Sequence, residues 1–270
     1  MSTEPHISLI MPCYNEEESL PYTVPRLVRA FERENYRLQL VVVDNGSRDR
    51  TWELIQTLAG SHPQILPVRV ATNIGFGNGI LSGIPFATAD WIGTVAADGQ
   101  VDPEDLVRLF EAASATNGMI LAKVRRRFRM DGFLRKIVSI SYNGFVWTLW
   151  PRLGSLDING QPRLMRREVL HAMQLASTNW LLDPEMLVKA HYLGVRVLEL
   201  KVFARMRGNG LSHVRLSTCW EFFKHLLRMR FSGELNAWRQ SARPPVIQRT
   251  QELVPGTNDA ASHSPAGPWH

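Results

Sequence analysis

Four apolar runs, each followed by a polar or glycine-rich loop and then an amphipathic segment, organise the first part of the chain. The runs predict β-strands and lie at 7–11, 38–43, 65–70 and 91–97. The second run has no polar interruption after Gln39, which is typical of a strand buried on both faces of a parallel sheet. Helical segments are predicted to begin near Asn15, at Asp49 and after Gly79. This alternation predicts an α/β fold with a doubly wound, mostly parallel sheet.

The loops that follow these strands carry the candidate chemistry. Right-handed crossovers place the carboxyl ends of parallel strands at one edge of the sheet, where open α/β sheets bind ligands. We therefore expect Asp44, Asp98 and the turn 14–16 to meet in one crevice. The loop 73–79 has glycines spaced as G-x-G-x-G after the third strand, which is weak evidence for a dinucleotide-binding dehydrogenase.

The stretch 91–106 predicts a short strand that stops at Asp98, followed by a helix with Asp102 as its N-cap. Gly99 would let a ligand approach closely, and Gln100 offers a carbonyl oxygen. Asp98 would then hold a hard divalent cation, Mg²⁺ or Mn²⁺, against a diphosphate. The alternative is an ordinary strand-to-helix turn that contains an aspartate.

The second half of the chain is more basic and more aromatic. A strand predicted at 119–124 runs into the cationic stretch 123–129, which is either a solvated loop or a phosphate contact. The apolar segment 133–150 predicts a helix that is buried or lies at a membrane interface. The segment 218–231 mixes aromatic residues with cations, as do helices on anionic membranes, although packing against the domain explains it too.

Further elements are predicted towards the C-terminus. Asp183 and Pro184 predict the N-cap and the first residue of another helix, and 195–202 predicts a strand. From Ser241 onwards proline, serine, glycine and alanine dominate, which predicts a disordered tail at 241–270. The remainder, 1–240, is predicted to form one domain.

Composition narrows the class of protein. The chain has 270 residues, 44% of them apolar, which is typical of a globular protein with an ample core. The net charge of +6 favours anionic partners such as nucleotide diphosphates, lipid phosphates or membrane surfaces. Two cysteines form no disulfide or zinc framework, which fits a reducing compartment. Neither a signal peptide nor a membrane-spanning segment is predicted, so we expect a cytoplasmic protein, peripheral on the inner face of the membrane if membrane-bound.

Six blocks of sequence, in order, resemble the inverting family 2 glycosyltransferases with the GT-A fold, in the branch that resembles dolichol-phosphate mannose synthase. The resemblance covers roughly residues 7–231, with a nucleotide-sugar-binding half at 7–118 and an acceptor-side half at 119–231. The blocks are ISLIMPCYNEEESL, VVVDNGSRDRT, ATNIGFGNGILSGI, AADGQVDPEDL, DINGQPRLMRREVL and ELKVFARMRGNGLSHV.

The resemblance implies roles for individual residues. The residues implied to bind the nucleotide-sugar are Pro12, Tyr14, Glu16, Asp44, Ala97, Asp98, Gln100, Arg207, Ser212 and His213. Asp98 and Gln100 are implied to hold the metal, and Asp98 and Arg207 to be catalytic. Arg125 and Arg135 are implied to receive the phosphate of the acceptor.

Three positions depart from the family pattern. Ala96 stands where the metal motif usually has a first acid, which leaves Asp98 as the only carboxylate of the pair. Lys201 replaces a proline, and His213 replaces a lysine, so that the charge there would depend on pH. Because of Ala96, an alternative is that the protein is a relative of these enzymes that binds a nucleotide-sugar without catalysing its transfer.

The expected reaction moves a hexose from a GDP- or UDP-sugar to a polyprenyl phosphate at a membrane surface. A phosphate acceptor is already an anion and needs no general base, whereas a hydroxyl acceptor on a glycan or secondary metabolite would need one. Asp183 and Glu185 are the candidates for that base, although both also fit as ordinary acids at a helix N-terminus. No nucleic-acid partner is expected, because the cations interleave with the blocks implied to transfer sugar.

Overall fold

The computed structural model describes residues 4–126, 133–202 and 216–245. Within them, seven strands form one sheet. In chain order they are β1 Ile7–Cys13, β2 Leu38–Asn45, β3 Ile65–Val70, β4 Trp91–Thr94, β5 Ile120–Arg126, β6 Arg163–Arg166 and β7 Arg196–Val202. Their order across the sheet is β3-β2-β1-β4-β6-β5-β7. Only β6 runs antiparallel to its neighbours in this sheet, β4 and β5.

Helices connect the strands and cover the sheet. Among the described residues they are α1 Leu20–Arg33, α2 Thr51–Ser61, α3 Phe76–Gly83, α4 Pro103–Ser114, α5 Phe133–Leu149, α6 Arg167–Met173, α7 Leu182–Tyr192, α8 Leu216–Phe231 and α9 Gly233–Ser241, with a 3-10 turn at Ile84–Phe86. None of these helices has the length and apolar character needed to cross a bilayer.

The two faces of the sheet bury two separate apolar clusters. Leu9, Leu40 and Val42 pack against α1, α2 and α4 on one face. Ile10 and Val41, which point the other way, join the cluster under α5 to α9. Every residue of β1 is buried. In β2, which the apolar run predicts to be covered on both faces, every residue except the half-buried Gln39 is buried. The predicted doubly wound α/β sheet is therefore confirmed.

Several predicted boundaries were wrong in the first half. Helix α3 begins at Phe76, within the glycine-rich stretch, and not after Gly79. The first helix begins at Leu20 and not near Asn15, because residues 16–19 form a turn tied to the next loop. The Glu16 N–H donates to Thr51 Oγ1 at 2.8 Å, which takes it out of a helical ladder. Strand β4 ends at Thr94, three residues before the predicted end at Ala97.

Two features of the second half were also missed. The N-cap of α7 is Leu181, so Asp183 lies inside the first turn and not at the cap. The antiparallel strand β6 has only four residues, too short for its alternation to stand out in the sequence. Of the predicted tail, 246–270 lies outside the described residues.

Candidate active site

The carboxyl ends of β1, β2 and β4 lie side by side at one edge of the sheet. Cys13 is the register partner of Asp44, and Ile10 is the partner of Thr94. The Val95 N–H continues the ladder with a 3.0 Å hydrogen bond to the Ile10 carbonyl. Asp44 and the loop that carries Asp98 therefore leave adjacent parts of the same edge, and the structure brings these two predicted residues to one side of the molecule.

The loops after β1 and β2 are cross-linked. The Asn15 N–H donates to Ser47 Oγ at 3.1 Å, and Asn15 Oδ1 accepts from the Arg48 N–H at 2.9 Å. Asn15 has a φ of 54°, a left-handed conformation that asparagine tolerates. Tyr14 and Glu16 flank it, and the ring of Tyr14 is exposed at the rim. The structure thus holds the turn 14–16 beside the loop after Asp44.

Asp44 is fully buried, yet one of its carboxylate oxygens has an unused hydrogen-bonding position. Oδ1 accepts from the Ser47 N–H at 3.0 Å. Oδ2 has no hydrogen-bond partner, although Arg69 Nε lies 3.4 Å away. The Arg69 guanidinium in turn lies over the ring of Trp52, 5.1 Å from its centroid. Arg69 was missed by the sequence interpretation, because it comes from the middle of a strand and its contact with Asp44 depends on strand pairing.

The loop after β4 places Asp98 in a tight turn. Asp98 Oδ1 accepts from the Gln100 N–H at 3.2 Å, and Gly99 between them has a φ of 63°. A side chain at position 99 would also meet Thr23 of α1. Asp98 and Gln100 are half-buried, and Ala97 is buried beneath them. From the sequence, Gly99 was interpreted as a residue that lets a ligand approach closely. The structure adds a second reason for glycine, because the backbone at this position has a positive φ.

The donor set of this loop fits one kind of metal site. No group of three or more acidic, histidine or cysteine side chains that could cage a metal occurs in the described part of the chain. Mg²⁺ commonly takes one or two protein carboxylates and completes its shell with phosphate oxygens and water. The Asp98 carboxylate with the Gln100 amide oxygen fits that pattern when a diphosphate is bound, and Ala96 supplies no ligand atom from its side chain.

The glycine-rich stretch 73–79, which includes the first turn of α3, packs against the segment 174–181. Asn45 Nδ2 donates to the Gly75 carbonyl at 2.9 Å, and the Asn78 N–H donates to the Thr178 carbonyl at 2.7 Å. A Cβ at Gly77 would overlap with the backbone of Ser177. The glycines therefore allow two backbone segments to touch. Nearby, Pro12 lies under Gly79 and beside Asn45.

Buried polar atoms without partners concentrate at this edge. Among the described residues, such atoms occur at seven positions, and four of these lie at the carboxyl ends of β2 and β4 or just before β6. They are Asp44 Oδ2, Asn45 Oδ1, Thr94 Oγ1 and Gln161 Oε1. Buried polar groups in native proteins are nearly always paired. Their concentration here makes the edge the candidate site for a polar ligand.

The second half of the chain buries a network of charges. Lys123 and Arg163 are both fully buried and are register partners across β5 and β6. Arg163 Nη1 lies 2.9 Å from Asp183 Oδ1, and Lys123 Nζ lies 3.9 Å from Glu199 Oε1. Burial, reinforced by the Arg163 cation, lowers the pKa of Lys123 from 10.5 to about 7. The sequence signal that was missed is a single cation inside an apolar strand run, as in ILAKV.

The two candidate general bases are committed to internal contacts. The Asp183 side chain is 4% exposed and pairs with Arg163. Glu185 accepts from the Ser177 N–H at 2.8 Å and from Lys189 Nζ at 2.6 Å. Both acids therefore stabilise the fold around α7, and neither presents an open carboxylate to the edge.

Of the other predicted residues, the structure describes the side chain of Arg125 alone. Arg125 is half-buried near the carboxyl end of β5, opposite Lys201 of β7. Arg135 lies in α5, but its side chain is outside the described part of the chain. Arg207, Ser212 and His213 are also outside the described residues, so their implied roles stay predictions.

Helices α5 and α8 pack together through aromatic side chains. The rings of Phe145 and Phe223 meet edge to face at 4.7 Å between centroids, and Arg230 Nε donates to the Leu149 carbonyl at 3.2 Å. Ile140 and Phe231 remain 62% and 73% exposed. The pair of helices is thus partly buried and partly exposes large apolar side chains.

A parallel sheet with a ligand edge after β1, β2 and β4, joined to an antiparallel strand β6, defines the GT-A class of nucleotide-sugar-binding folds. Solved structures agree. Glucosyl-3-phosphoglycerate synthase from Mycobacterium tuberculosis with Mn²⁺, uridine diphosphate and phosphoglyceric acid has a TM-score of 0.66, with 19% identity over 84% of this chain and 78% of that one. The same enzyme with Mg²⁺ and uridine diphosphate has a TM-score of 0.67, again with 19% identity, over 84% and 79%. These likenesses show the fold.

Sequence comparison gives the family. The family model described as glycosyl transferase family 2 matches residues 8–173, and the chain belongs to that family. A dolichol-phosphate mannosyltransferase from Pyrococcus furiosus is 29% identical over 85% of this chain and 65% of its own length. An undecaprenyl-phosphate 4-deoxy-4-formamido-L-arabinose transferase from Pectobacterium atrosepticum is 34% identical over 62% of this chain and 51% of its own. The chain thus spans between half and two thirds of these relatives.

Proposed function

We propose that this protein transfers a hexose from a GDP- or UDP-sugar to a polyprenyl phosphate at a membrane surface, with inversion at the anomeric carbon. Membership of glycosyl transferase family 2 supports the transfer, and the two relatives act, by their names, on dolichol phosphate and undecaprenyl phosphate. The observation that carries the choice of acceptor is the state of Asp183 and Glu185. Both are held in buried ion pairs, and a phosphate acceptor needs no base.

The donor would bind across the ends of β1, β2 and β4. Asp44 Oδ2, buried and without a hydrogen-bond partner, is suited to accept an N–H or hydroxyl of the nucleoside. Pro12, Tyr14, Glu16 and the Ala97 backbone would line this pocket. Arg207, Ser212 and His213 complete the proposed set for binding the nucleotide-sugar.

Asp98 and Gln100 would hold Mg²⁺ or Mn²⁺ against the diphosphate. The bound cation supplies neutralisation of the negative charge that develops on the leaving nucleoside diphosphate. The chain's own contribution is to fix these oxygen atoms through the Gly99 turn, with Gln100 N–H bonded to Asp98. The Arg207 guanidinium would share the charge of the diphosphate.

The acceptor would approach from the side of β5. Arg125 and Arg135 would position its phosphate for attack on the face of the sugar opposite the diphosphate, which inverts the anomeric centre. The exposed apolar residues of α5 and α8, with Arg228 and Arg230 on α8, would hold the protein on an anionic membrane surface. On this proposal the enzyme is a peripheral protein on the inner, cytoplasmic face.

The proposal is tested by transfer of radiolabel from a panel of GDP- and UDP-sugars, with Mg²⁺ or Mn²⁺, into a butanol-extractable polyprenyl phosphate product. We expect label in the organic phase with wild-type protein, and a loss of about 10²-fold or more in Asp98→Asn, as when one group that stabilises developing charge is removed. Asp102→Asn is the matched control, since asparagine caps a helix as well as aspartate does.

One observation favours a second candidate, a relative that binds a nucleotide-sugar without transferring it. Ala96 removes the first acid of the usual metal pair, and Asp98 is left as the single carboxylate of the motif. Nucleotide diphosphate binding without label transfer to any acceptor would support this alternative. Transfer only to a sugar or metabolite hydroxyl would instead support a soluble glycosyltransferase and would contradict the phosphate acceptor.

A further inference from the structure

Two buried cations lie directly behind the proposed acceptor-phosphate site. Lys123 immediately precedes Val124 and Arg125 on β5, and Arg163 is its partner on β6. Both side chains have zero exposure, so neither contacts an acceptor in this conformation. Neither residue has a part in the transfer proposed above, and their contacts show what they hold.

Lys123 binds the loop 155–162. Its ammonium donates to Ser155 Oγ at 2.9 Å and to the carbonyls of Asp157 and Ile158. Ser155 Oγ in turn donates to Glu199 Oε1 at 2.7 Å. Three acceptors match the three N–H groups of a charged lysine. The lysine thus joins the loop to β5 and, through Ser155, to β7.

Arg163 binds the same loop from the other side. Its Nε donates to the Gly160 carbonyl at 3.0 Å, and Nη2 donates to the Ile158 carbonyl at 2.7 Å. Nη1 reaches Asp183 of α7. The Ile158 carbonyl is therefore shared by both cations, and four backbone contacts from two buried side chains fix one short loop.

The loop 155–162 in turn contacts the backbone of Val124, the residue before Arg125. The Val124 N–H donates to the Pro162 carbonyl at 3.1 Å. Gly160 packs so closely against the Val124 carbonyl that a Cβ there would overlap with it. The loop thus contacts Val124 through a hydrogen bond to its N–H and close packing against its carbonyl, and the next Cα is that of Arg125.

We propose that Lys123 and Arg163 are positioning residues, which brace the loop 155–162 against β5 and thereby aim Arg125 at the phosphate of the acceptor. This inference rests on the proposed function, since it gives Arg125 the acceptor phosphate. Neither cation touches a substrate. Their effect is on the geometry of the acceptor site, and the donor site at β1, β2 and β4 lies on other strands.

Steady-state kinetics with both substrates tests this proposal. We call the contacts by which Lys123 and Arg163 hold the loop 155–162 against β5 the brace. We expect Lys123→Met and Arg163→Met to raise the KM for polyprenyl phosphate at least about tenfold, because small displacements of a positioned group are costly. The KM for the nucleotide-sugar should stay within about twofold of the wild-type value, because the variants are expected to weaken binding of the acceptor and not of the donor. Arg163→Lys, which keeps the charge and some of the donors, should recover part of the loss.

Lys189→Met is the matched control. Lys189 is also buried and ion-paired, but it donates to the Gln174 carbonyl and to Glu185, away from the loop 155–162. Its loss should destabilise the fold without changing the KM for polyprenyl phosphate. An equal rise of that KM in the control variant would show a general structural effect and would overturn the proposal.

The pH dependence of the wild-type enzyme gives a second measurement, with Lys123→Met as its control. The neutral form of Lys123 has two N–H groups for three acceptors, so the brace should loosen as pH rises through about 7. The charged groups that face this lysine are Arg163 of β6, Asp157 of the loop, Glu199 of β7 and Asp183 of α7. We expect the wild-type KM for polyprenyl phosphate to rise between pH 6.5 and about 8.5, and the rise to be absent in Lys123→Met.

The outcomes separate the two proposals. Wild-type transfer to polyprenyl phosphate, with unchanged acceptor KM in both methionine variants, overturns the brace alone. A flat pH dependence of the wild-type KM for the acceptor does the same. Absence of wild-type transfer to polyprenyl phosphate overturns the proposed function and the brace with it.

Discussion

The two halves of the molecule bury polar groups in opposite ways. In the first half, residues 7–118, the buried polar residues are Ser8, Asp44, Asn45, Thr51, Thr94 and Asp105, with no cation among them. In the second half, residues 119–231, they are Lys123, Ser155, Arg163, Asp183, Glu185 and Lys189, with three cations. Both sets come from the described residues. The first half buries neutral groups and acids, and the second buries ion pairs.

The hydrogen bonding of these groups differs as well. In the first half, Asp44, Asn45 and Thr94 each have a buried oxygen without a partner. In the second half, the charged atoms of Lys123, Arg163 and Lys189 all have several partners within the protein. Buried oxygens without hydrogen-bond partners suit a site that binds a ligand. Fully hydrogen-bonded networks of buried charges instead fix the positions of the segments that they join. Gln161, in the second half, also has a buried oxygen without a partner. The difference therefore lies in the charged groups, because Asp44 leaves one oxygen open whereas the buried cations of the second half are all paired.

The largest expected effect comes from breaking a network in the second half. Arg163→Met leaves Asp183 buried without its partner, which typically costs about 3–5 kcal/mol. We expect the free energy of unfolding, measured by chemical denaturation, to fall by that amount. A loss below about 1 kcal/mol would show that the buried pair does not stabilise this half.

Asp44→Asn is the counterpart in the first half. Asparagine keeps the oxygen that accepts from the Ser47 N–H, and the ion pair that is lost involves a half-exposed Arg69. Stability should therefore change by no more than about 1 kcal/mol. Binding of nucleoside diphosphate, measured by calorimetry, should weaken strongly. A variant that binds as well as wild type would contradict the role of the open Oδ2.

Contact between the halves can be tested at Gly77. Alanine there would force its Cβ into the backbone of Ser177, so we expect a loss of about 1–3 kcal/mol, the usual range for overpacking. Gly60→Ala is the control, because nothing lies within 4 Å of a Cβ at that position in α2. That change should stabilise the protein by about 0.5–1 kcal/mol. Similar effects at both glycines would show that the packing of 73–79 on 174–181 is not tight.

The buried Lys123 should give the second half a contribution to stability that depends on pH. The pKa of Lys123 is about 7 in the folded protein and 10.5 ordinarily, so the unfolded chain binds more protons between these values. Stability should therefore rise with pH above 7, by at most about 1.4 kcal/mol per unit for one group. Below pH 7 both states are protonated and the slope from this group vanishes.

Unfolding of wild type and Lys123→Met, compared from pH 6 to 10, isolates this contribution. The free energy of unfolding of wild type, relative to that of Lys123→Met, should rise with pH above 7. Binding of the acceptor should change in the opposite direction, since the KM for polyprenyl phosphate is expected to rise. Identical slopes in the two proteins would mean that the ammonium is retained throughout, held by its carbonyl acceptors.

The first half is also the one whose structure the sequence predicts well. Its strands are mainly apolar runs, and each ends at a polar loop, so the shared edge follows from the handedness of the crossovers. The order of the strands across the sheet was not predicted. The placement of Asp44 beside the Asp98 loop needed no side-chain detail. What was missed there, Arg69, depends on which residues pair across β2 and β3. The turn before α1 was missed because its hydrogen bonds come from the next loop.

The second half resists prediction because its chemistry depends on burial. Lys123 lies in a cationic stretch that the sequence predicts to be a solvated loop or a phosphate contact, yet its side chain is fully buried. Asp183 resembles a helix cap in the sequence, and its partner Arg163 is twenty residues away on a strand too short to detect. Long-range ion pairs leave no local pattern, so only the fold reveals them.

The smallest expected effect is at the surface of the first half. Arg26 of α1 pairs with Asp102 at 3.2 Å, beside the Asp98 loop, and both side chains are substantially exposed. Solvent screens such a pair, and a double-mutant cycle with Arg26→Ala and Asp102→Ala should give a coupling of about 0.2–1 kcal/mol. Added salt should reduce it further. A coupling near 3 kcal/mol would place this exposed pair in the range of the buried Arg163–Asp183 pair. The first half would then also depend on ion pairs for its geometry, and the contrast between the two halves would rest on hydrogen bonding alone.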